Sequence, residues 1–300
     1  MSIPIFDIVL YLQRSKKKIR EFVYSFENDT YVSPDMTILA QHLFDSDIKS
    51  MAYQQEPFSI LWCVKANGTL LGFTYSRAEQ VTAWHKHTTD GLFENVACIY
   101  GLSGNNELWA VVNRTIGGVT KRYIEMLEDP FDDTTLNSNE CFFVDSGLSY
   151  DGVPTTTISG LTHLEGKTVA VLADGLVQTS KVVTGGSITL SPAASKVHAG
   201  LPYTSTLQTM RVEAADGEGT SQGRKKRTNQ VVFRFYKAKQ FKYGLTPAGT
   251  LKEITFTSLF SGDKEVDFPS GWDRTGTISI INEKPLPITV VAIVPEVAVS

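Results

Sequence analysis

Thr168-Val-Ala-Val-Leu-Ala-Asp-Gly175 decides the fold class. Six β-forming residues end in Asp174-Gly175, a dipeptide that supplies the positive φ angles of a two-residue hairpin turn. The device recurs at once in Val182-Val-Thr-Gly-Gly-Ser-Ile-Thr-Leu190, where Gly185-Gly186 precedes a second short strand. Val197-His-Ala-Gly-Leu-Pro-Tyr-Thr204 follows. Residues 150–204 therefore read as a compact antiparallel module with no chemistry of its own. A repetitive β region lies before it and a β tail after it.

Upstream, Ile60-Leu-Trp-Cys-Val64 and Glu107-Leu-Trp-Ala-Val111 share the pattern Leu-Trp-x-Val, with Trp62 and Trp109 47 residues apart. Each copy leads into a turn (Ala66-Asn67-Gly68; Thr115-Ile-Gly-Gly118) and a second aromatic strand. Units of this length, several strands each, stack because one alone cannot bury its apolar face. Both tryptophans are expected in equivalent, buried positions of adjacent sheets. A closed propeller needs at least about four blades, more than these residues supply, so the expectation is an incomplete propeller-like set. Residues 5–12 and 19–26 read as a hairpin across the basic turn Arg14-Ser-Lys-Lys-Lys18, a degenerate third copy. Ser33-Pro34 reads as the entry to a single helix over 34–44, with Met36, Leu39 and Leu43 at helical spacing.

Past a polar linker at 129–140, the tail holds the Gly-rich loop 216–223, the run Arg224-Lys-Lys-Arg227, and strands at 230–236, 250–259, 276–281 and 288–294. The fold class is all-β, a β-propeller-like repeat region followed by small β-barrel or sandwich modules. The domains are 1–135 (propeller-like repeats, incomplete), 136–215 (a small inserted β domain) and 216–300 (a β region packing back on the first).

The 300 residues carry a net charge of −4 and 42% hydrophobic residues. That suits a folded chain and argues against a surface built throughout to grip nucleic acid, while leaving room for a local basic patch. Cys63, Cys98 and Cys141 are odd in number and lack metal-ligand spacing, so no disulfide framework is implied. The Ile3–Leu12 run has its charges after its apolar part, the reverse of an export signal. Ile288–Val294 is too short to span a bilayer. The Asn-x-Thr sequons at Asn28, Asn67 and Asn113 are then chance matches.

Chemistry-bearing motifs are scarce. His85 and His87 share one face of a strand, but no third ligand is near in sequence, and His163 reads as a turn residue. There is no nucleophile elbow, Walker loop or zincin helix. Gly217–Gly223 is mis-spaced for a dinucleotide loop and lacks the strand-then-helix setting. No catalytic residue, metal ligand or cofactor is assigned. Arg224, Lys225, Lys226 and Arg227 form the one concentrated charge feature: either a rim facing phosphates, or a solvated loop.

In order along the chain, Arg20-Glu-Phe-Val-Tyr-Ser-Phe26, Val32-Ser-Pro-Asp-Met-Thr-Ile-Leu-Ala40, Met51-Ala-Tyr-Gln-Gln-Glu-Pro57, Trp84-His-Lys-His87, Lys121-Arg-Tyr-Ile-Glu125, Val197–Tyr203, Gln222–Arg227 and Gly271-Trp-Asp-Arg274 are matching blocks. On these the chain resembles the C-terminal portion of podophage tail nozzle proteins, also called tail tubular protein B. The resemblance implies a virion structural protein, made in the bacterial host cytoplasm and forming a hexameric ring at the end of a short tail. It also implies adaptor and tail-fibre partners, transient non-specific contact with double-stranded DNA during ejection, and no enzyme activity. The alternative is a tail-associated module that binds glycans or a host receptor through exposed aromatic residues. A hydrolase of wall or capsule polymer stands third, for want of a carboxylate pair in a motif.

Overall fold

A computed structural model describes residues 1–102, 104–131, 137–213, 215–216 and 219–300. The chain is all-β and antiparallel, and it divides into two compact units, Met1–Asp129 and Pro130–Ser300. The expected 135/136 boundary, residues 132–136 of the linker and residues 217 and 218 of the Gly-rich loop lie outside the described residues. No helix is long and apolar enough to cross a membrane among the described residues.

The first unit is three sheets. The first contains β1 (Ser2–Ile5), β2 (Ile8–Leu12), β3 (Ile19–Ser25) and β4 (Thr30–Val32), side by side in chain order. The expected 5–12 strand is split, because Phe6 takes a positive φ of 53° and turns the chain before β2. The second sheet contains β5 (Ile48–Gln54), β6 (Ile60–Lys65), β7 (Leu70–Ser76) and β8 (Val81–His87). The third is β9 (Leu92–Tyr100), β10 (Asn106–Ile116) and β11 (Val119–Met126), with β10 central. Gly68, at φ 82°, makes the β6–β7 turn.

Two cores separate these sheets. Leu61, Cys63, Leu71 and Phe73 of the second sheet pack with Ile8, Leu10, Ile19 and Val23 of the first. The alternate residues Trp62, Val64 and Leu70 pack with Val96, Leu108, Ala110 and Val112 of the third. Successive strand residues point to opposite faces, so the Leu of each Leu-Trp-x-Val copy faces the preceding sheet and the Trp faces away from it. Trp62 is 2% exposed and donates from Nε1 to Gln54 Oε1 at 2.9 Å. Trp109 is only half-buried, contrary to expectation. The two do keep equivalent orientations, but no fourth sheet covers the Trp109 face within the first unit. Arg114 on β10 is buried beside this core. It forms a two-pronged ion pair with Glu125 and donates to Thr89 Oγ1 and the Asp90 carbonyl, tying the β8–β9 connection to the third sheet.

The helix expected over 34–44 is a short 3-10 segment, Ile38–Leu43, broken at Ala40. Pro34 and Met36 instead extend pairing with β3, through Glu21 N–H to the Pro34 carbonyl and Met36 N–H to the Ile19 carbonyl. The Asp35 carboxylate then accepts from Thr37 N and Oγ1 in a local turn that competes with helix.

The second unit has two principal sheets. One holds β12 (Asp145–Ile158), β13 (Thr168–Ala173), β14 (Leu176–Val182) and β15 (Ile188–Leu201), in the order β12-β15-β13-β14. Asp174 and Gly175 make the expected hairpin at φ 47° and 74°. The Asp174 carboxylate also accepts from the Ser195 and Lys196 N–H groups, and that of Glu165 from Gly185 and Gly186. After β16 (Ser205–Gln208) comes a two-residue pair, β17 (Ala215–Asp216) and β18 (Gly219–Thr220). The second sheet centres on the long β19 (Lys226–Gly244), flanked on one side by β20 (Leu251–Asp267). On its other side lie β21 (Ser279–Asn282), itself paired with β16, and β22 (Thr289–Val299).

The unequal settings of the two tryptophans give a direct test. Trp62→Ala should cost about 3–5 kcal/mol in denaturant unfolding, through lost core volume, and Trp109→Ala about 1 kcal/mol. Equal losses would show that the Trp109 face is covered after all.

Candidate functional site: a basic corner and two open faces

The basic run is not a free loop. Lys226 opens β19 and is 0% exposed, with Nζ 3.2 Å from Glu213 Oε2, which also accepts from Ser221 Oγ. Its backbone forms a bridge with Asp273 in both directions. Burial opposes the Asp273 charge, yet hydrogen bonds from Thr275 and the Gly276 N–H, with Lys226 nearby, hold its carboxyl below the usual range. Lys226 is thus structural, and the rim reading narrows to Arg224, Lys225 and Arg227, of which Lys225 and Arg227 are exposed.

The same bridge supplies what sequence reasoning missed. Antiparallel pairing of 226 with 273 sets Lys225 opposite Arg274 and Arg227 opposite Trp272, and direct cross-strand neighbours share a face. Arg274 is exposed and Trp272 is 47% exposed. Val212 N–H donates to the Thr275 carbonyl at 3.1 Å, bringing exposed Arg211 to the same corner. Backbone pairing thus brings exposed cationic residues and Trp272 from three distant stretches to one corner. Such a surface suits phosphate contact without sequence readout.

The first unit offers two apolar faces. On the outer side of the first sheet, Phe22 and Tyr31 stack at 4.8 Å with Tyr24 edge-on to Tyr31. On the outer side of the third sheet lie Trp109, Ile124 (74% exposed) and Met126. Each is the unpaired counterpart of a face that is buried between sheets.

The histidines serve packing. His85 and His87 lie 5.0 Å apart, both against Trp62, and Gly72 leaves room for the His85 ring, since a Cβ there would come within 2.2 Å of Nε2. Among the described residues no group of three or more His, Cys, Asp or Glu could hold a metal. Burial lowers the His85 pKa, and burial with the neighbouring His85 lowers that of His87 to about 4. His163, in a 3-10 turn, donates from Nε2 to the Ser146 carbonyl, 2.9 Å away. Sequence reasoning passed over His198, buried between Ser149 Oγ (2.7 Å at Nδ1) and the Asn139 carbonyl (2.8 Å at Nε2). These bonds pin β12 and the 137–140 segment to β15. All three cysteines are free thiols, and burial pushes Cys98 and Cys141 up to about 12, so they are poor nucleophiles.

No family model and no curated protein sequence matches the chain.

Two outcomes follow from this geometry. Lys226→Ser should lower stability by roughly 1–3 kcal/mol, by removing the Glu213 ion pair and the buried side chain at the start of β19, whereas Lys225→Ser should leave the melting temperature unchanged. For the histidines, a folded-state pKa below the ordinary value means that only the unfolded chain takes up protons between about pH 6.5 and pH 4. Stability is therefore full above that window and falls as pH drops through it. His87→Phe should flatten the decline in melts recorded from neutral to acid pH; an unaltered slope would place the effect elsewhere.

Proposed function

We propose that this chain is a structural component of a short-tail phage nozzle, acting as a homo-oligomer around a passage for double-stranded DNA and not as an enzyme. On this reading the three sheets of the first unit are consecutive blades of a β-propeller, and the sheets of the second unit are small sandwich-like modules. The observation that carries it is the stacking rule: the second sheet turns its Leu61 face to the first sheet and its Trp62 face to the third, the third sheet repeats the arrangement with Leu108 and Trp109, and both ends of the series leave apolar side chains exposed. A series of that kind is completed by further sheets, as in a propeller. The order of the matching sequence blocks supports the nozzle assignment, with a hexameric ring, adaptor and tail-fibre neighbours and a place in the virion tail.

Passage of DNA requires a surface that attracts phosphate weakly. The corner formed by Arg211, Arg224, Lys225, Arg227 and Arg274, on a chain of net charge −4, meets that requirement. Attraction from so few charges is screened within about 10 Å at ordinary salt. A second reading, glycan or receptor binding, is favoured by exposed Phe22 and Tyr31, stacked on each other with half-buried Tyr24 edge-on.

Negative-stain microscopy of the protein should show rings. Double-stranded DNA should bind weakly and without sequence preference, with affinity falling as salt rises. Lys225→Ser and Arg227→Ser together should reduce that binding and leave the melt unchanged. Glycan-array binding abolished by Phe22→Ala, with no rings and no DNA binding, would replace the nozzle reading with the second one.

A further inference from the structure

The hairpin turns of the first unit sort by charge. At one end of the strands lie the β2–β3 turn, the β6–β7 turn and the starts of β5 and β9. Three hydrogen bonds link them: Ile48 N–H to the Lys16 carbonyl, Ala66 N–H to the Asp47 carbonyl, and Phe93 N–H to the Gly68 carbonyl. This end carries Arg14, Lys16, Lys17 and Lys49, all exposed. Its acids are partly occupied: Asp35 pairs with Lys18 and Asp45 with Lys65.

The opposite end collects the turns after β1, β3, β5 and β7 and the segment after β11. Tyr75 N–H to the Ser59 carbonyl joins the turns after β5 and β7, and Asn106 N–H to the Glu56 carbonyl brings the turn after β9 beside them. It carries Asp7, Glu27, Asp29, Glu56, Glu79 and Glu128, all exposed. Arg77, the one base there among the described residues, lies 3.6 Å from buried Glu21.

We infer that the acidic turn end of the first unit docks the basic turn end of a second copy of this chain, in a head-to-tail contact. Opposite charges on the two ends of one unit make the surfaces complementary between copies, and like ends repel, which selects head-to-tail over head-to-head pairing. A contact of two different surfaces is heterologous, so it propagates until a ring closes or a filament grows. The inference goes beyond the nozzle reading: it rests on charge placement alone and would hold for a filament with no role in DNA passage. Nucleic acid offers a partner for the basic end only and leaves the acidic end without one.

The test is charge exchange, read by mass photometry and sedimentation on the full chain. One variant carries Arg14→Glu, Lys16→Glu and Lys17→Glu; the other carries Glu27→Lys, Glu79→Lys and Glu128→Lys. None of these six side chains forms a described hydrogen bond or ion pair, and near-ultraviolet circular dichroism checks that each variant is folded. The unaltered chain should self-associate at low salt and weaken at least about tenfold toward 0.5 M salt, where the Debye length falls to a few ångströms. Each variant alone should associate at least about tenfold more weakly, and an equimolar mixture should recover association, because each then meets its opposite. A chain that stays monomeric at low salt, or that assembles equally well with either set of changes, overturns the inference. So does loss of DNA binding by the first variant with self-association intact, which would assign the basic end to a polyanion. Rings that survive both variants would sink this contact and leave the nozzle reading standing.

Discussion

A strand with no free face constrains the first unit. In β6, Leu61 and Cys63 belong to the core shared with the first sheet, and Trp62 and Val64 to the core shared with the third. One run of backbone thereby serves two cores, and a one-residue slip would exchange them, sending the indole into a space built for a leucine. Its neighbour β7 obeys the same rule, with Leu71 and Phe73 on one side and Leu70 and Gly72 on the other. Gly72 lacks a side chain because the His85 ring occupies that space. Register, the glycine and the buried histidines are consequences of a single demand for double-sided burial.

In the second unit the corresponding decision is made at Lys237. This residue has φ 51°, and the register of β19 against β20 shifts between Phe235 and Ala238. Before the shift β19 pairs with β22, and after it with β21. The Lys237 N–H reaches Ser261 Oγ; the residue is 8% exposed, and its ammonium, without a hydrogen-bond partner among the described residues, lies over the rings of Phe131 and Tyr236 at 5.1 and 5.6 Å. A cation on aromatic faces recovers part of what hydration would have supplied.

Much of this was legible in the residues, and the reasons for the gaps are specific. Asp174-Gly175 and Asn67-Gly68 announce their turns because the required φ angles are a local property. The Leu-Trp-x-Val repeat gave the orientation of both tryptophans, but burial depends on whether a neighbouring sheet exists, which no window of sequence records. Apolar spacing over 34–44 fits a helix, but Asp35 caps a local turn at Thr37 and the Arg20 guanidinium donates to the Ser33 carbonyl, which holds the chain beside β3. The basic run looked like one cluster, but alternation along β19 sends Lys226 inward. Arg211, Trp272 and Arg274 could be joined to it only through backbone pairing between segments far apart in sequence. Whether either basic surface meets phosphate is a property of a partner, and lies outside what strand patterns encode.

The layout of β19 has a mechanical side. From Gln230 onward the strand pairs along one edge with β20, and along the other its Lys226–Tyr236 part pairs with β22 and its Lys242–Gly244 end with β21. A load directed along this strand cannot peel its bonds one at a time; it must shear two antiparallel ladders together. Resistance to such a load is set by the barrier to unfolding and not by equilibrium stability. The central strand thus makes the sheet stiff along its own axis, while its two ends, a bridge at Lys226 and a turn after Gly244, are the points from which it would yield.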